Sequence, residues 1–293
     1  MPTFTIISCA LAVIRAGGIP VYVDANPETW NMRIDQIESL ISEKTKAIMA
    51  VHIYGLTVDM DPLLEIAQKY NLKVIEDAAE VIGQTYKGKQ CGSFGDISTL
   101  SFYPNKHITT GEGGMVLVND DELADKCNSL RNLCFGKTDR FVHKELGWNF
   151  RMSNLQAAVG VAQLERLPQA IKTKRRIGMN YQEAFSGINL FTQPLAKTDY
   201  CENIYWVYGI VSKDVTKNAK WWMQKLANKG IGTRPFFHPM HQQPALNQYS
   251  NSACLNFSCS EKLARLGFYL PSGFNLSIKQ FEHISNVFDN LFK

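Results

Sequence analysis

Residues 47–76 read AIMAVHIYGLTVDMDPLLEIAQKYNLKVIE, and this stretch decides the fold. Ala47 to Ile53 is a short apolar run of the kind that makes a buried strand. Asp61 to Tyr70 reads as a helix, with Pro62 placed early, where its missing N–H does no harm. Lys73 to Glu76 is the next strand. Strands that are apolar throughout and alternate with amphipathic helices belong to a mostly parallel sheet covered on both faces.

The same alternation extends in both directions. Upstream, Val21-Tyr22-Val23 reads as a short strand ending at Asp24, and Ile34 to Ile41 has helical spacing. Downstream, Ile97 to Tyr103 and Met115 to Val118 are strands separated by a Gly-rich loop, and Asp121 to Leu133 is a helix. The fold class is therefore α/β. The apolar opening, Thr3 to Ile14, lacks a preceding basic region, ends at Arg15 and is too short to cross a membrane. It is expected to be a buried first helix rather than a signal peptide.

Beyond Asn154 the texture changes. A helical stretch runs to about Phe185, broken near Pro168. Tyr205 to Val211 then reads as a strand, Trp221 to Lys229 as a helix, Arg234 to Pro239 as a ring-rich loop and Phe281 to Phe292 as a closing helix. The expected organisation is a large domain over residues 1–165 and a smaller α+β domain over residues 166–293.

Composition narrows the function classes. Lys and Arg outnumber Asp and Glu by 31 to 27, a net charge of +4 with no long basic block, so nucleic acid is not an indicated partner. The seven cysteines are odd in number and irregularly spaced, with no CxxC pair, which fits a reducing cytosol rather than a disulfide framework or a zinc site. A cytoplasmic location is expected, without a membrane partner.

Ligands of doubly wound sheets sit at the carboxyl ends of strands. Two such ends are chemically unusual. Val74-Ile75-Glu76-Asp77 stops on an acidic pair, followed by Ala78-Ala79-Glu80. Ser98-Thr99-Leu100-Ser101-Phe102-Tyr103-Pro104-Asn105-Lys106 stops on a lysine, followed closely by Gly111-Glu112-Gly113-Gly114. An amine and a carboxylate so placed are what a pyridoxal cofactor needs: one to carry its aldehyde, the other to keep its ring nitrogen protonated. Taken singly, the Asp is a turn former, the Lys a solvated charge and the Gly run a turn. His238 and His241 form an HxxH without further ligands, which reads as a surface or substrate loop; no metal is expected.

The joint pattern is far more specific than its parts. Glu76-Asp77-Ala78-Ala79, Gly92-Ser93-Phe94-Gly95-Asp96, Ser101-Phe102-Tyr103-Pro104-Asn105-Lys106 and Gly111-Glu112-Gly113-Gly114 together resemble the signature of the DegT/DnrJ/StrS aminotransferases. Val51 to Gly55, Arg131-Asn132, Gly147 to Met152, Thr233-Arg234-Pro235 and Leu270 to Gly273 extend the resemblance over essentially the whole chain. It implies a fold-type-I pyridoxal-phosphate enzyme that moves an amino group from glutamate to a nucleotide-linked keto sugar. Within the family the chain is similar to the perosamine-forming members, which act at the 4-position of a GDP-linked 4-keto-6-deoxy sugar. UDP- or dTDP-linked sugars, and a non-catalytic dimerisation partner, remain open at this point. Lys106 argues against the dehydratase relatives, which carry histidine there.

Carried over residue by residue, the resemblance makes Lys106 the Schiff-base lysine and proton shuttle. Asp77 becomes the partner of the ring nitrogen, and Glu80 lies near the cofactor hydroxyl. Ser101 donates to the phosphate, Phe4 stacks on the ring, and Asn149 reaches the phosphate of a neighbouring subunit, so that a homodimer is implied. Arg234 and His238 fall to the substrate. Family members open with a further segment whose Gly-Thr/Ser-x-Ala-Leu turn grips the phosphate through backbone amides. The resemblance thus implies a chain shortened at its N-terminus, with a weakened phosphate site.

Overall fold

The computed structural model describes residues 1–136, 138–249 and 256–292. The chain enters through Pro2, which bridges Val23 in parallel, and turns into α1 (Ile7–Arg15). Cys9 and Ala10 of this helix are buried, and Ile7, Leu11, Val13 and Ile14 are half-buried against core clusters, so the expected interior helix proves to be amphipathic, with Ser8, Ala12 and Arg15 facing out. Val21 to Val23 does not extend into a strand; the single bridge to Pro2 and one between Ala25 and Met32 are all that forms there. Ile34 to Ile41 resolves into two short 3-10 turns rather than one helix.

From β1 (Ala47–Val51) the expected pattern holds. The helix α2 (Met60–Lys69) crosses to β2 (Lys73–Asp77), paired in parallel with β1, Val51 opposite Asp77. A hairpin of β3 (Thr85–Tyr86) and β4 (Lys89–Gln90) follows. Then β5 (Ile97–Ser101) pairs in parallel with β2, and β6 (Gly114–Val118) returns antiparallel along β5. The sheet order is β1-β2-β5-β6. Val74, Ile48, Ala50, Leu63 and Ala67 pack between the sheet and α2, which is where the apolar periodicities of strand and helix meet.

Three helices lead away from the sheet. Asp120 caps α3 (Asp121–Arg131) by accepting from the Leu123 amide at 2.7 Å. A reciprocal Ser153–Gln156 capping box starts α4 (Asn154–Glu165). Arg166 ends α4 and begins α5 (Leu167–Ala184), whose Pro168 sits in the first turn. The second sheet has the order β7-β8-β10-β9, built from β7 (Phe191–Thr192), β8 (Tyr208–Ser212), β9 (Arg234–Pro235) and β10 (Gly267–Leu270). Around it lie α6 (Ala219–Ala227), α7 (Ser258–Leu266) and α8 (Ile278–Phe292). Tyr181, Phe185, Tyr208, Phe268 and Phe288 form its core, with the rings of Tyr181 and Tyr208 stacked at 4.6 Å. A third cluster, with Phe4, Tyr54, Trp206 and Phe236 at its centre, joins the two halves of the chain beside the carboxyl ends of β1 and β2.

Candidate active site

Strand alternation separates the two acids at the end of β2. Glu76 turns into the interior with no exposed surface and accepts from the amides of Gly92 (2.6 Å), Phe94 (2.8 Å) and Gly95 (3.2 Å), and from the Ser98 hydroxyl (2.9 Å). His52 Nε2 lies 3.1 Å from the same carboxylate, and His52 Nδ1 accepts from the Val58 amide, so the hydrogen-bond network assigns the ring proton to Nε2. Cys91 joins His52 and Glu76 within 4.8 Å. With so many donors already on Glu76, this trio is a hydrogen-bonded anchor for the 92–95 loop rather than a cation cage.

Asp77 turns the other way, toward Lys106. Its Oδ1 accepts from the Ala79 amide at 3.0 Å, and its Oδ2 accepts the Cys9 thiol at 3.3 Å, so α1 is held against the strand end. Burial, with the Asp77 charge added, pushes the Cys9 thiol far above the ordinary range, which makes it a donor and not a nucleophile. Lys106 Nζ lies 3.9 Å from Glu80 Oε1 and 3.8 Å from the centre of the Trp206 ring. Burial lowers the affinity of this amine for its proton, while Glu80, Asp77 and Cys9 oppose that. Burial likewise raises the Glu80 carboxyl, with Lys106 and the Tyr54 amide pulling it back. Each member of the pair is thus pressed toward its neutral form, a poise suited to proton transfer.

Glu80 is aimed by the loop after β1. The Tyr54 amide donates to Oε2 at 2.8 Å, whereas Oε1 faces the Lys106 amine at 3.9 Å. Asn31 fixes that loop by accepting from Ile53 N and donating to Leu56 O and Thr57 O. Tyr269 completes the rim: its ring lies 6.4 Å from that of Tyr54, and it faces Arg234 in the β9–β10 register.

The structure therefore brings Lys106, Asp77 and Glu80 together, with Arg234 one strand away from the rim. Ser101, at the end of β5, accepts from the Tyr103 amide at 3.3 Å. Asn149 is exposed and accepts from Arg151 Nε at 3.0 Å. His238 is exposed, donates to Gln242 O, and lines a cavity of about 470 Å³ with Glu261, Lys262 and Arg265, apart from the Lys106 cluster. His241 is occupied by Thr3 and Glu261. Phe4 requires a correction. It is fully buried, edge-on to Tyr54 at 6.0 Å and packed on Phe236 and Phe237, so it has no open face for stacking and serves the core. Trp206 and Cys9, which the sequence did not single out, touch Lys106 and Asp77 instead.

Comparison with known proteins adds to this geometry. Residues 1–289 match the DegT/DnrJ/EryC1/StrS aminotransferase family. A relative named GDP-perosamine synthase from Caulobacter vibrioides is 39% identical over 99% of this chain and 78% of its own length. Another of that name from Escherichia coli O157:H7 is 40% identical over 97% of this chain and 76% of its own. The crystal structure of a DegT DnrJ EryC1 StrS aminotransferase from Brucella abortus superimposes with a TM-score of 0.90 at 30% identity, covering 99% of this chain and 78% of that one.

Proposed function

The chain belongs to the DegT/DnrJ/EryC1/StrS aminotransferase family, and from that premise we propose that it moves an amino group from glutamate to the 4-keto group of a GDP-linked 4-keto-6-deoxy sugar. It is a pyridoxal-phosphate-dependent nucleotide-sugar aminotransferase; the sugar and the nucleotide are the proposal. The residues present fit the cofactor. Among the described residues the nearest ionic partner of Glu80 Oε1 is the Lys106 amine at 3.9 Å, and Asp77 Oδ2 accepts from a weak thiol donor, so both can take stronger partners.

When bound, pyridoxal phosphate supplies an aldehyde to carry the amine and an electron-poor ring to accept charge. In this reading Lys106 Nζ would hold the cofactor at its aldehyde and would move the proton at the reacting carbon. Its suppressed basicity keeps a neutral amine available for both tasks. Asp77 would keep the ring nitrogen protonated, and Glu80 would receive the ring hydroxyl. The Trp206 face and the surrounding apolar cluster keep water from the amine. Ser101 and Asn149 serve the phosphate, Asn149 from a second subunit, while Arg234 and His238 serve the substrate.

The dimer in this reading draws support from surface chemistry. No residue of α4 is buried, although it presents Leu155, Val159, Val161 and Leu164. Trp148 and Phe150 stack nearly parallel and exposed on either side of Asn149. An apolar surface of this kind suits a protein contact. A cytoplasmic location fits the free thiols at Cys9, Cys91 and Cys134, and none of the described helices is long and apolar enough to cross a membrane.

The observation that carries the proposal is the convergence of Lys106 with Glu80, Asp77 and Trp206 at the ends of β2 and β5. The test is a glutamate-dependent amination assay on a panel of GDP-, UDP- and dTDP-linked 4-keto sugars, with Lys106→Ala alongside. Activity with the GDP sugar, lost in Lys106→Ala while circular dichroism is unchanged, is expected. Preference for another nucleotide would overturn the substrate, and near-normal turnover by Lys106→Ala would overturn the site.

A further inference from the structure

Lys174, in α5, is buried with 4% of its surface exposed, and its Nζ donates to two backbone carbonyls, Trp206 O at 2.9 Å and Ser272 O at 2.7 Å. Its ammonium also lies 5.3 Å from the Phe274 ring. Among the described residues no carboxylate forms an ion pair with it, and burial lowers its pKa to about 8. A buried cation without a counter-ion is costly. It is retained here at a place where the chain passes from one sheet to the other.

The segment that Lys174 holds is clamped on both sides. On one side Gly55, at φ +100°, lies so close that a Cβ there would meet the amide nitrogens of Tyr205 and Trp206 at 2.6 and 2.7 Å. The Ile204 amide also donates to Gly55 O at 3.2 Å. On the other side Gly178, one helical turn after Lys174, faces the Tyr205 ring, which a Cβ would meet at 2.4 Å. The same segment is stitched to both neighbours of Lys106. Trp206 Nε1 donates to Asn105 O at 2.8 Å, and His107 Nε2 donates to Ile204 O at 3.3 Å. The indole so fixed lies under Lys106 Nζ.

The geometry points to Lys174 as a positioning residue for Lys106: by gripping the Trp206 carbonyl it sets the indole beneath the reacting amine. The inference rests on the reading of Lys106 given above. The groups that face Lys106 are Glu80 and Asp77 from the β2 end, Cys9 from α1 and the Trp206 ring; His107 feels the charge of both lysines. Burial is the largest influence on the Lys106 amine, and the indole supplies part of that cover. Loosening Trp206 admits water, so the amine moves back toward an ordinary lysine. Loss of the cation–π contact acts in the opposite direction, against the burial that is the largest influence on this amine.

The test uses the full chain without added cofactor, so that its failure is separate from failure of the proposed reaction. Acetylation of Lys106 by acetic anhydride is followed by peptide mass across pH, which gives the titration midpoint of that amine. In Lys174→Met the midpoint is expected to rise by about half a pH unit or more, with a red shift of tryptophan emission. Lys174→Gln, which keeps one donor, should give a smaller rise. Trp206→Phe should move the midpoint too, and combining it with Lys174→Gln should add nothing further, because both act through one contact. Leu226→Ala, in the core of the second sheet, should lose stability and leave the midpoint unmoved. A parental midpoint in folded Lys174→Met, or simple additivity with Trp206→Phe, would overturn the proposal. Loss of fold in both Lys174 variants would make the residue a folding determinant and overturn it equally.

Discussion

Glu76→Gln isolates what the buried acid behind Asp77 contributes. The parent carboxylate accepts from His52, from the amides of Gly92, Phe94 and Gly95, and from Ser98. A glutamine of the same shape must turn its NH2 toward some of these donors, leaving donor against donor in a dry place. Burial by itself raises the Glu76 carboxyl, but the hydrogen bond from His52 and those from Gly92 and Phe94 outweigh it and hold the group at about 2, against an ordinary 4.5. That difference corresponds to roughly 3–3.5 kcal/mol of stability at neutral pH. The folded value lies below the unfolded one, so the contribution is fully present above the unfolded value of 4.5 and is lost as pH falls toward about 2. Urea unfolding of parent and variant, followed by circular dichroism, is the assay. The expected gap is roughly 3–3.5 kcal/mol at pH 7, shrinking to somewhat under half near pH 3. A gap that stays constant between the two conditions would refute the reasoning, because it would show that the charge is not what the pocket holds.

Three further outcomes follow from other contacts. Asp77→Asn should reduce turnover by about a hundredfold or more while leaving the melting temperature of the cofactor-free protein nearly unchanged; steady-state kinetics and calorimetry on the same samples check this. Gly178→Ala should cost roughly 1–3 kcal/mol, because its Cβ would meet the Tyr205 ring at 2.4 Å and the core must shift, as read by urea midpoints. Asp24→Ala should cost about 2 kcal/mol, since Asp24 caps α7 from a distance by accepting from the Cys259 and Ser260 amides and the Ser260 hydroxyl; hydrogen exchange should rise first at the start of that helix.

How much of this was legible beforehand varies by element. Residues 47–76 carried their own answer, because a buried strand and an amphipathic helix each have a period that burial reads directly. The division of labour between Glu76 and Asp77 was also present in the sequence, as the two-residue alternation of a strand, which sends neighbours to opposite faces. Lys106 and Asp77 could be named from residue type and order, Glu80 came only from the family resemblance, and in the structure the three lie in one cluster. Val21 to Val23 was misread as a strand because β pairing needs a neighbour of matching length, and here only Pro2 supplies a bridge. Phe4 was misread because an aromatic residue near a site can pack on rings as readily as on a ligand, and the rings that claim it, Phe236 and Phe237, lie far along the chain.

The amino-acid sequence by itself determined which side chains could do chemistry and which local elements would carry them. Tertiary structure alone decided what stands around them: Trp206 under Lys106, Cys9 on Asp77, Lys174 on the Trp206 carbonyl. Periodicity and capping act within a few residues and are written locally. The cover that lowers the basicity of Lys106 comes from residues remote in sequence, and only the closure of the chain onto its own apolar surface fixes their distances.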